Sequence, residues 1–287
     1  MEAQAFDFLK QQLMQRSGAM ITPEKGYLIE SRLTPIAKRL GHDGIVAMVS
    51  SLMLRPDETV LEEIVDAMTT NETLFFRDGW PFEKLKDTII PDLVERNAGM
   101  KRIRIWSAAC SSGQEPYSIA MTLSDMRPLL AGWHTGIVGT DICSHILDRA
   151  RAATYSDFEV RRGLSDEMRE RHFVADGPGW KVKPELRHGV EIRKFNLLSD
   201  PMSAGLFGFD VVFCRNVLIY FDEPTRTRVL SSIARAMRPG GYLVMGGAET
   251  VVGFSDAFRL IPGQRGLFQL SNGPVAATDC ARSVTAS

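Results

Sequence analysis

The chain has 287 residues, 44% of them hydrophobic, and its 34 Lys and Arg residues nearly balance 35 Asp and Glu. A chain of this size can bury a large core and form one large or two smaller domains, and we expect two. The formal net charge of -1 removes the electrostatic reason to expect a nucleic acid partner, because affinity for phosphates depends on clustered positive charge.

The sequence contains no candidate membrane span or leader segment. No stretch approaches the roughly 18 consecutive apolar residues that a span needs, and the start, MEAQAFDFLKQQ, has no basic region followed by an apolar core. We therefore expect a cytoplasmic protein without direct membrane insertion. The four cysteines, Cys110, Cys143, Cys214 and Cys280, are far apart and lack a histidine in ligand spacing, so we predict neither a disulfide nor a metal site. The oligomeric state is not predicted.

Residues 1–70 are predicted to form an N-terminal helical domain. Apolar residues recur at helical spacing in FDFLKQQLMQ, YLIESRLTPIAKRL and VLEEIVDAM. Pro23, after Thr22, predicts a helix start, because a proline in the first turn loses no hydrogen bond, and Gly41 predicts the end of that helix. Residues 71–100 are expected to be a linker and the first helix of a second domain.

Residues 101–271 are predicted to form a mostly parallel sheet covered by helices. Five short apolar or β-branched runs alternate with helical segments, in the order IRIWSA, GIVGTDI, GVEIRKF, FDVVFC and GYLVMGG. The last two segments, AFRLI and GLFQL, flank the turn residues PGQR and predict an antiparallel hairpin that closes the sheet.

Two further segments do not fit this alternation. Turn signals between Phe173 and Asn196 predict a small β insertion at about residues 173–194. Residues 272–287 are mostly small or polar and are predicted to be disordered.

The loop after the first predicted strand is a candidate ligand site, because doubly wound folds bind nucleotide-like ligands there. It has only Gly113 in place of the three glycines of G-x-G-x-x-G. Glu115 at the helix start would repel a pyrophosphate, so a dinucleotide is disfavoured, whereas a cationic, phosphate-free cofactor such as S-adenosylmethionine is not. Alternatively, Ser112 and Glu115 form a capping box, with Pro116 in the first turn, and both interpretations can hold.

Polar residues also follow two other predicted strands at the same edge. Asp141 ends the second strand, where an acid can accept hydrogen bonds from both ribose hydroxyls or simply cap the next helix. Arg215 and Asn216 end the fourth strand, and Tyr220 follows in LIYF. Such an asparagine is usually a turn residue and such a tyrosine usually core, but their position favours a site.

The predicted linker carries the segment TTNETLFFRD. Its two phenylalanines are most simply the contact that docks the helical domain, and Asn71 and Thr73 can cap the next helix. Arg77 is harder to explain structurally, because a guanidinium in an interdomain cleft is suited to a carboxylate.

Together these segments resemble the chemotaxis receptor (MCP) glutamate O-methyltransferases, the CheR family. The resemblance covers about residues 5–271 and rests on six motifs in order: TTNETLFFRD, IRIWSAACSSGQEPYSIAM, GTDI, NLL, FDVVFCRNVLIYFD and MRPGGYLVMGGAE. It implies an α/β fold, in which an S-adenosylmethionine-dependent methyltransferase (Rossmann-like) domain follows an N-terminal all-helical domain and carries a small β insertion. It also implies methyl transfer to glutamate side chains of chemotaxis receptors, with S-adenosylhomocysteine as product.

The resemblance further implies roles for individual residues. Cofactor contacts are implied at Asn71, Thr73, Arg77, Glu115, Asp141, Asn196, Leu197 and Asn216. Arg77 and Tyr220 are implied to place the substrate carboxylate. Some family members dock a receptor's C-terminal pentapeptide on the β insertion, and the insertion here looks short, which leaves such tethering open.

Three cations in the helical domain are candidates for docking the receptor. Lys25, Arg32 and Arg39 lie seven residues apart, which predicts one helix stripe, although Pro35 can kink the helix. From charge alone the stripe is a solvated face. With the resemblance, it is a candidate surface for the acidic helical region of a receptor.

Two other functions remain open from the sequence. One is a methyltransferase acting on another protein, a small molecule or RNA, and the near-neutral charge disfavours RNA. The other is a non-catalytic cofactor-binding scaffold, against which the intact polar residues of the predicted site argue.

Overall fold

The computed structural model describes residues 3–271, so the predicted tail, residues 272–287, lies outside the described residues. The helices before the first strand are α1 (Ala3–Ser17), α2 (Gly26–Arg39), α3 (Ile45–Leu54), α4 (Glu58–Met68), α5 (Trp80–Lys84) and α6 (Ile90–Arg96). The later helices are α7 (Gln114–Asp125), α8 (Ser144–Ala152), α9 (Asp157–Arg161), α10 (Asp166–His172), α11 (Pro184–Arg187) and α12 (Glu223–Ala236). In the described part of the chain, no helix is long and apolar enough to cross a membrane.

Helices α1 to α4 share a hydrophobic core of their own. Its fully buried members include Leu9, Leu33, Met48 and Ile64, one from each helix. Leu9, Leu33 and Ile64 lie in the three segments that the helical spacing predicted, whereas α3, which holds Met48, was not predicted. The predicted helix start at Pro23 is a 3-10 turn that leads into α2, and α2 ends two residues before Gly41.

The strands of the main sheet follow the predicted pattern. They are β1 (Arg102–Ser107), β2 (His134–Asp141), β6 (Val190–Lys194), β7 (Phe209–Cys214), β8 (Met237–Met245), β9 (Phe258–Leu260) and β10 (Leu267–Leu270). Their order is β6-β2-β1-β7-β8-β10-β9, with the first five parallel and the last two antiparallel to their neighbours. The closing hairpin was therefore predicted correctly.

Apolar side chains cover both faces of this sheet. Ile105 and Phe213 belong to the core on one face, and Trp106 and Val212 to the core on the other. Strand β7 is buried along its whole length although it contains an acid, Asp210. The Asp210 carboxylate accepts hydrogen bonds from the Arg104 N–H at 2.7 Å and the Asn97 amide at 3.1 Å, so this buried charge is satisfied.

The small β insertion has different limits from those predicted. Its sheet has the order β3-β5-β4, formed by Thr154–Ser156, Gly179–Val182 and Phe173–Asp176. The insertion thus begins before residue 173. Strand β3 was not predicted because it is too short to give a periodic pattern. The end of the predicted segment, strand β6, instead pairs with β2 in the main sheet.

Candidate active site at the carboxyl edge of the sheet

Strands β1, β2 and β7 are parallel neighbours, so their carboxyl ends meet at one edge of the sheet. The chain leaves β1 toward β2 on one side and later returns to β7 on the other, which makes this edge the switch point of the fold. A cleft that is partly open to solvent lies between this edge and the helical domain. It is lined by all the predicted cofactor and catalytic residues: Asn71, Thr73, Arg77, Glu115, Asp141, Asn196, Leu197, Asn216 and Tyr220.

Glu115 faces the sheet and is only 8% exposed. One carboxylate oxygen accepts a hydrogen bond from Ser107 Oγ at 2.7 Å, and the other accepts one from Arg215 Nη1 at 2.8 Å. The capping-box alternative is wrong, because the N-cap of α7 is Gly113, and Ser112 Oγ instead bonds Gln114 Oε1 at 2.7 Å. Glu115 is therefore available as part of the cleft wall.

Gly113 is required by the geometry of this loop. Its φ is +95°, in the left-handed region, and a Cβ there would lie 2.9 Å from the Tyr155 hydroxyl oxygen and 3.1 Å from Ala150 Cα. Both constraints exclude a side chain. The single glycine of the loop thus permits close packing of α7 against α8. It is explained by this packing and not by the binding of a pyrophosphate.

Arg215 connects the end of β7 to the linker. Its Nη1 donates to Glu115, while Nη2 donates to Asp78 Oδ2 at 2.7 Å and to the Arg77 carbonyl oxygen at 2.8 Å. Its side chain is 2% exposed, and its guanidinium carbon lies 5.8 Å from the centroid of the Phe82 ring. From the sequence, Arg215 was predicted only as a polar residue at a strand end. No sequence spacing indicated its hydrogen-bond partners.

Asp141 joins the loops after β1 and β2. Its Oδ2 accepts a hydrogen bond from the Ser111 N–H at 2.9 Å, and its Oδ1 accepts one from the Cys143 N–H at 3.1 Å. Burial raises the pKa of the Asp141 carboxyl, against the opposing effect of these backbone N–H groups. The alternative that Asp141 caps α8 is wrong, because the N-cap of α8 is Cys143 and no side chain caps it. Ribose binding stays a prediction.

The linker lies against the sheet through its backbone and Phe75. Phe75 is fully buried and packs edge-on against Tyr155 at 4.9 Å and Phe173 at 5.4 Å between ring centroids. The prediction that the linker phenylalanines dock the helical domain is wrong for Phe75, since its ring partners belong to strands of the small sheet. Helix α5 has Gly79 as its N-cap, so neither Asn71 nor Thr73 caps it.

Arg77 and Tyr220 both line the cleft. Arg77 Nη1 donates to the Glu72 carbonyl oxygen at 2.9 Å within the linker. Tyr220 ends a 3-10 turn, Leu218–Tyr220, and its carbonyl oxygen accepts the Met20 N–H of the helical domain at 2.9 Å. Their side chains line one cleft, and their catalytic roles stay predictions.

Asn196 and Asn216 of the predicted site have different surroundings. Asn196 Nδ2 donates to the Arg16 carbonyl oxygen at 2.6 Å, so this amide contacts the helical domain, and its Oδ1 accepts the Leu198 N–H at 3.0 Å. Asn216 adopts a left-handed backbone with φ of 57°. Its N–H donates to Glu249 Oε2 at 2.6 Å, a partner that the sequence analysis did not single out.

The predicted stripe of docking cations is not formed. Lys25 lies in the 3-10 turn before α2 and lines the cleft. Arg32 Nη1 donates to the Met68 and Thr69 carbonyl oxygens at 2.9 and 3.1 Å, where it neutralises the negative end of α4. Arg39 is exposed and pairs with Glu63. A seven-residue spacing could not reveal these separate surroundings.

The polar groups of the cleft suit a nucleoside better than a phosphate. The Ser111 N–H, which a pyrophosphate would need, is occupied by Asp141, and Glu115 places a second buried carboxylate beside it. These acceptors suit ribose hydroxyls and a cationic group. Within residues 3–271, no cluster of three or more His, Cys, Asp or Glu side chains is placed to hold a metal ion. A cleft at the carboxyl edge of a doubly wound sheet is the place where this architecture binds nucleotide-like ligands.

Comparison with known proteins gives the family. Residues 71–267 match the family model described as CheR methyltransferase, SAM binding domain, and the chain belongs to this family. A Pseudomonas putida chemotaxis protein methyltransferase, Cher2, is 43% identical over 248 residues, covering 85% of this chain and 89% of its own. Chemotaxis protein methyltransferase 1 of Pseudomonas aeruginosa is 41% identical, covering 89% and 93%. That of Vibrio cholerae is 39% identical, covering 87% and 90%. The protein is therefore an S-adenosylmethionine-dependent methyltransferase.

Replacing Arg215 by leucine is expected to lower the free energy of unfolding by about 3–5 kcal/mol, because Glu115 would stay buried without its charged partner. Chemical denaturation measures this change, and adding Glu115→Leu to the variant should recover part of the loss. Arg235→Leu is the matched control, since Arg235 is 48% exposed and its loss should cost less than about 0.5 kcal/mol. Equal losses in the two arginine variants would contradict the assigned role.

Proposed function

We propose that the protein transfers the methyl group of S-adenosylmethionine to glutamate side chains in the cytoplasmic helical region of chemotaxis receptors. The products are glutamyl methyl esters, which serve chemotactic adaptation, and the enzyme acts in the cytoplasm. Membership of the CheR family supports this proposal, as do relatives named chemotaxis protein methyltransferases that align over most of this chain.

The observation that carries the proposal is the pair of buried carboxylates in the cleft. These are Glu115 and Asp141, 8% and 7% exposed, and the buried Arg215 of the same lining pairs with Glu115. Toward solvent the lining holds the exposed Lys25 and the half-buried Arg77, together with the exposed acid Glu72. Buried acids suit a cationic sulfonium nucleoside, and outer cations suit an anionic substrate group such as a glutamate carboxylate.

The cofactor residues divide between the linker and the sheet edge. S-adenosylmethionine supplies a methyl group on a positively charged sulfur and leaves as S-adenosylhomocysteine. We assign Asp141 to the ribose hydroxyls. The other assigned cofactor contacts are Asn71, Thr73, Arg77, Glu115, Asn196, Leu197 and Asn216, which line the same cleft.

The proposed reaction needs no general base. A glutamate side chain has an ordinary pKa of about 4.3, so at neutral pH it is already the nucleophile. Opposite charges disappear during methyl transfer, so a strong grip on the carboxylate would stabilise the ground state more than the transition state. Arg77 and Tyr220 are therefore assigned to orientation, and correct placement of reactants can contribute roughly 7 to 11 kcal/mol.

Cofactor affinity is expected to fall in acid. Protonation removes an acceptor for the ribose hydroxyls, and burial raises the pKa of Asp141 above its ordinary value. The loss should therefore begin at a higher pH than for an exposed aspartate, whose pKa is about 3.9. Titration calorimetry at a series of pH values measures it. Asp141→Asn should bind the cofactor weakly and without this pH dependence. If affinity in that variant still falls at low pH as in the wild type, Asp141 does not bind the ribose.

Tyr220→Phe is expected to reduce kcat by roughly tenfold, the effect of losing about one hydrogen bond to a charged group. The dissociation constant of S-adenosylmethionine should change by less than about twofold, because the hydroxyl is assigned to the substrate. Initial rates at saturating receptor, with calorimetry on the same preparation, give both quantities. An unchanged kcat would show that the Tyr220 hydroxyl does not orient the substrate carboxylate.

Arg39 gives the clearest test of receptor docking, because it is exposed and does not line the cleft. Arg39→Glu is expected to raise the KM for receptor by about three- to tenfold at low salt and less at high salt. The cofactor dissociation constant should not change. Arg32 is unsuitable, since its loss would also remove the contacts with the end of α4. Receptor KM values that match the wild type at every salt concentration would count against docking at this helix.

The decisive experiment is incubation with labelled S-adenosylmethionine and receptor-containing membranes, followed by alkaline release of methanol. Carboxyl methyl esters are base-labile, so volatile label supports the proposal. Stable label would indicate an amide or ether product and another substrate. Cofactor binding without transfer would indicate a scaffold, and Asp141→Ala serves as the negative control.

A further inference from the structure

The carboxylate of Glu249, in the loop after β8, contacts the loop after β7. Its Oε1 accepts hydrogen bonds from the N–H groups of Val217 and Leu218 at 3.0 and 2.9 Å. Its Oε2 accepts hydrogen bonds from the N–H groups of Asn216 and Gly246 at 2.6 and 2.9 Å. A single side chain thus satisfies three consecutive backbone donors of the segment that leads to Tyr220.

The fold brings these two loops together. Strands β7 and β8 are parallel neighbours with Cys214 opposite Met245, so the chain leaves both at the same edge. A turn follows β8, in which the Glu249 N–H donates to the Gly246 carbonyl oxygen at 2.9 Å. A Cβ on Gly246 would lie 2.6 Å from Glu249 Oε2 and 2.9 Å from Asn216 Nδ2. A side chain at position 246 would therefore have to displace the Glu249 carboxylate or the Asn216 amide.

The segment that Glu249 holds begins in an uncommon backbone conformation. Asn216 has φ of 57°, in the left-handed region, which few residues other than glycine adopt, although asparagine adopts it more readily than most. The 3-10 turn Leu218–Tyr220 begins two residues later with no side-chain cap of its own. Because the carboxylate binds the N–H groups on both sides of Val217, it fixes the left-handed residue and the start of the turn together.

Glu249 does not line the cleft, whereas Asn216, Val217 and Tyr220 do. We propose that Glu249 is a positioning residue, which sets the placement of Asn216 toward the cofactor and of Tyr220 toward the substrate. This inference rests on the proposed function for its catalytic readout. Its structural part, the ordering of residues 216–220, can be measured without any methyl acceptor.

Glutamine is the informative replacement because it has nearly the same size. It keeps one acceptor oxygen but presents an NH₂ group to backbone N–H groups that need an acceptor. Aspartate keeps the charge on a shorter side chain and should be intermediate. Asp256→Asn is the matched control, since Asp256 is an exposed acid in the same loop region.

Backbone hydrogen exchange tests the structural part. In Glu249→Gln, exchange at the amides of residues 216–218 should accelerate by about tenfold or more, with Glu249→Asp in between. Amides in the middle of β7 should keep their wild-type rates, and Asp256→Asn should change neither region. Unchanged exchange at residues 216–218 in both Glu249 variants would overturn the inference.

Kinetics test the positioning part. Glu249→Gln should reduce kcat by about tenfold or more, with a KM for receptor within about twofold of wild type, a separation that general destabilisation would not produce. Accelerated exchange with an unchanged kcat would overturn the positioning role. If the wild-type protein forms no receptor esters, the proposed function fails, while the exchange result still decides whether Glu249 orders the segment.

Discussion

The guanidinium of Arg215 is almost completely buried, and a buried charge is costly unless its N–H groups are paired. Its partners come from two other parts of the chain, Glu115 at the start of α7 and Asp78 with the Arg77 carbonyl in the linker. The ion pair with Glu115 therefore fixes the loop after β1 relative to the end of β7. The contacts with the linker place Asn71 to Arg77 over the same edge, so the cleft exists only where these three segments meet.

Two buried carboxylates explain why this doubly wound fold serves a sulfonium nucleoside. The Asp141 carboxylate already accepts a hydrogen bond from the Ser111 N–H, and the Glu115 carboxylate accepts hydrogen bonds from Ser107 and Arg215. A phosphate would have to displace these contacts and lie beside like charge, which is unfavourable at low dielectric. The helix N-terminus that binds pyrophosphate in dinucleotide enzymes is here preceded by an acceptor-rich loop.

Local patterns predicted the sheet and several site positions, but not the contacts between distant segments. The β-branched runs gave the five parallel strands and the hairpin, and the strand ends pointed to Glu115, Asp141 and Asn216. Glu249 and Asp78 were missed as partners, because their roles depend on which loops meet in space. The surroundings of the three candidate docking cations were missed for the same reason, since helical spacing cannot show that Arg32 binds the carbonyl groups at the end of α4.

The segment that ends at Tyr220 is held from both domains, which links the helical domain to the proposed substrate site. The Tyr220 carbonyl oxygen accepts the Met20 N–H between α1 and α2, and two residues earlier the Leu218 N–H binds Glu249. Asn196 adds a second bond, to the Arg16 carbonyl oxygen. Because these contacts use the backbone on the helical side, substitutions there act on Tyr220 through the position of the chain rather than through lost side chains. A change in kcat after mutation of the helical domain is therefore not evidence that the mutated side chain touches the substrate.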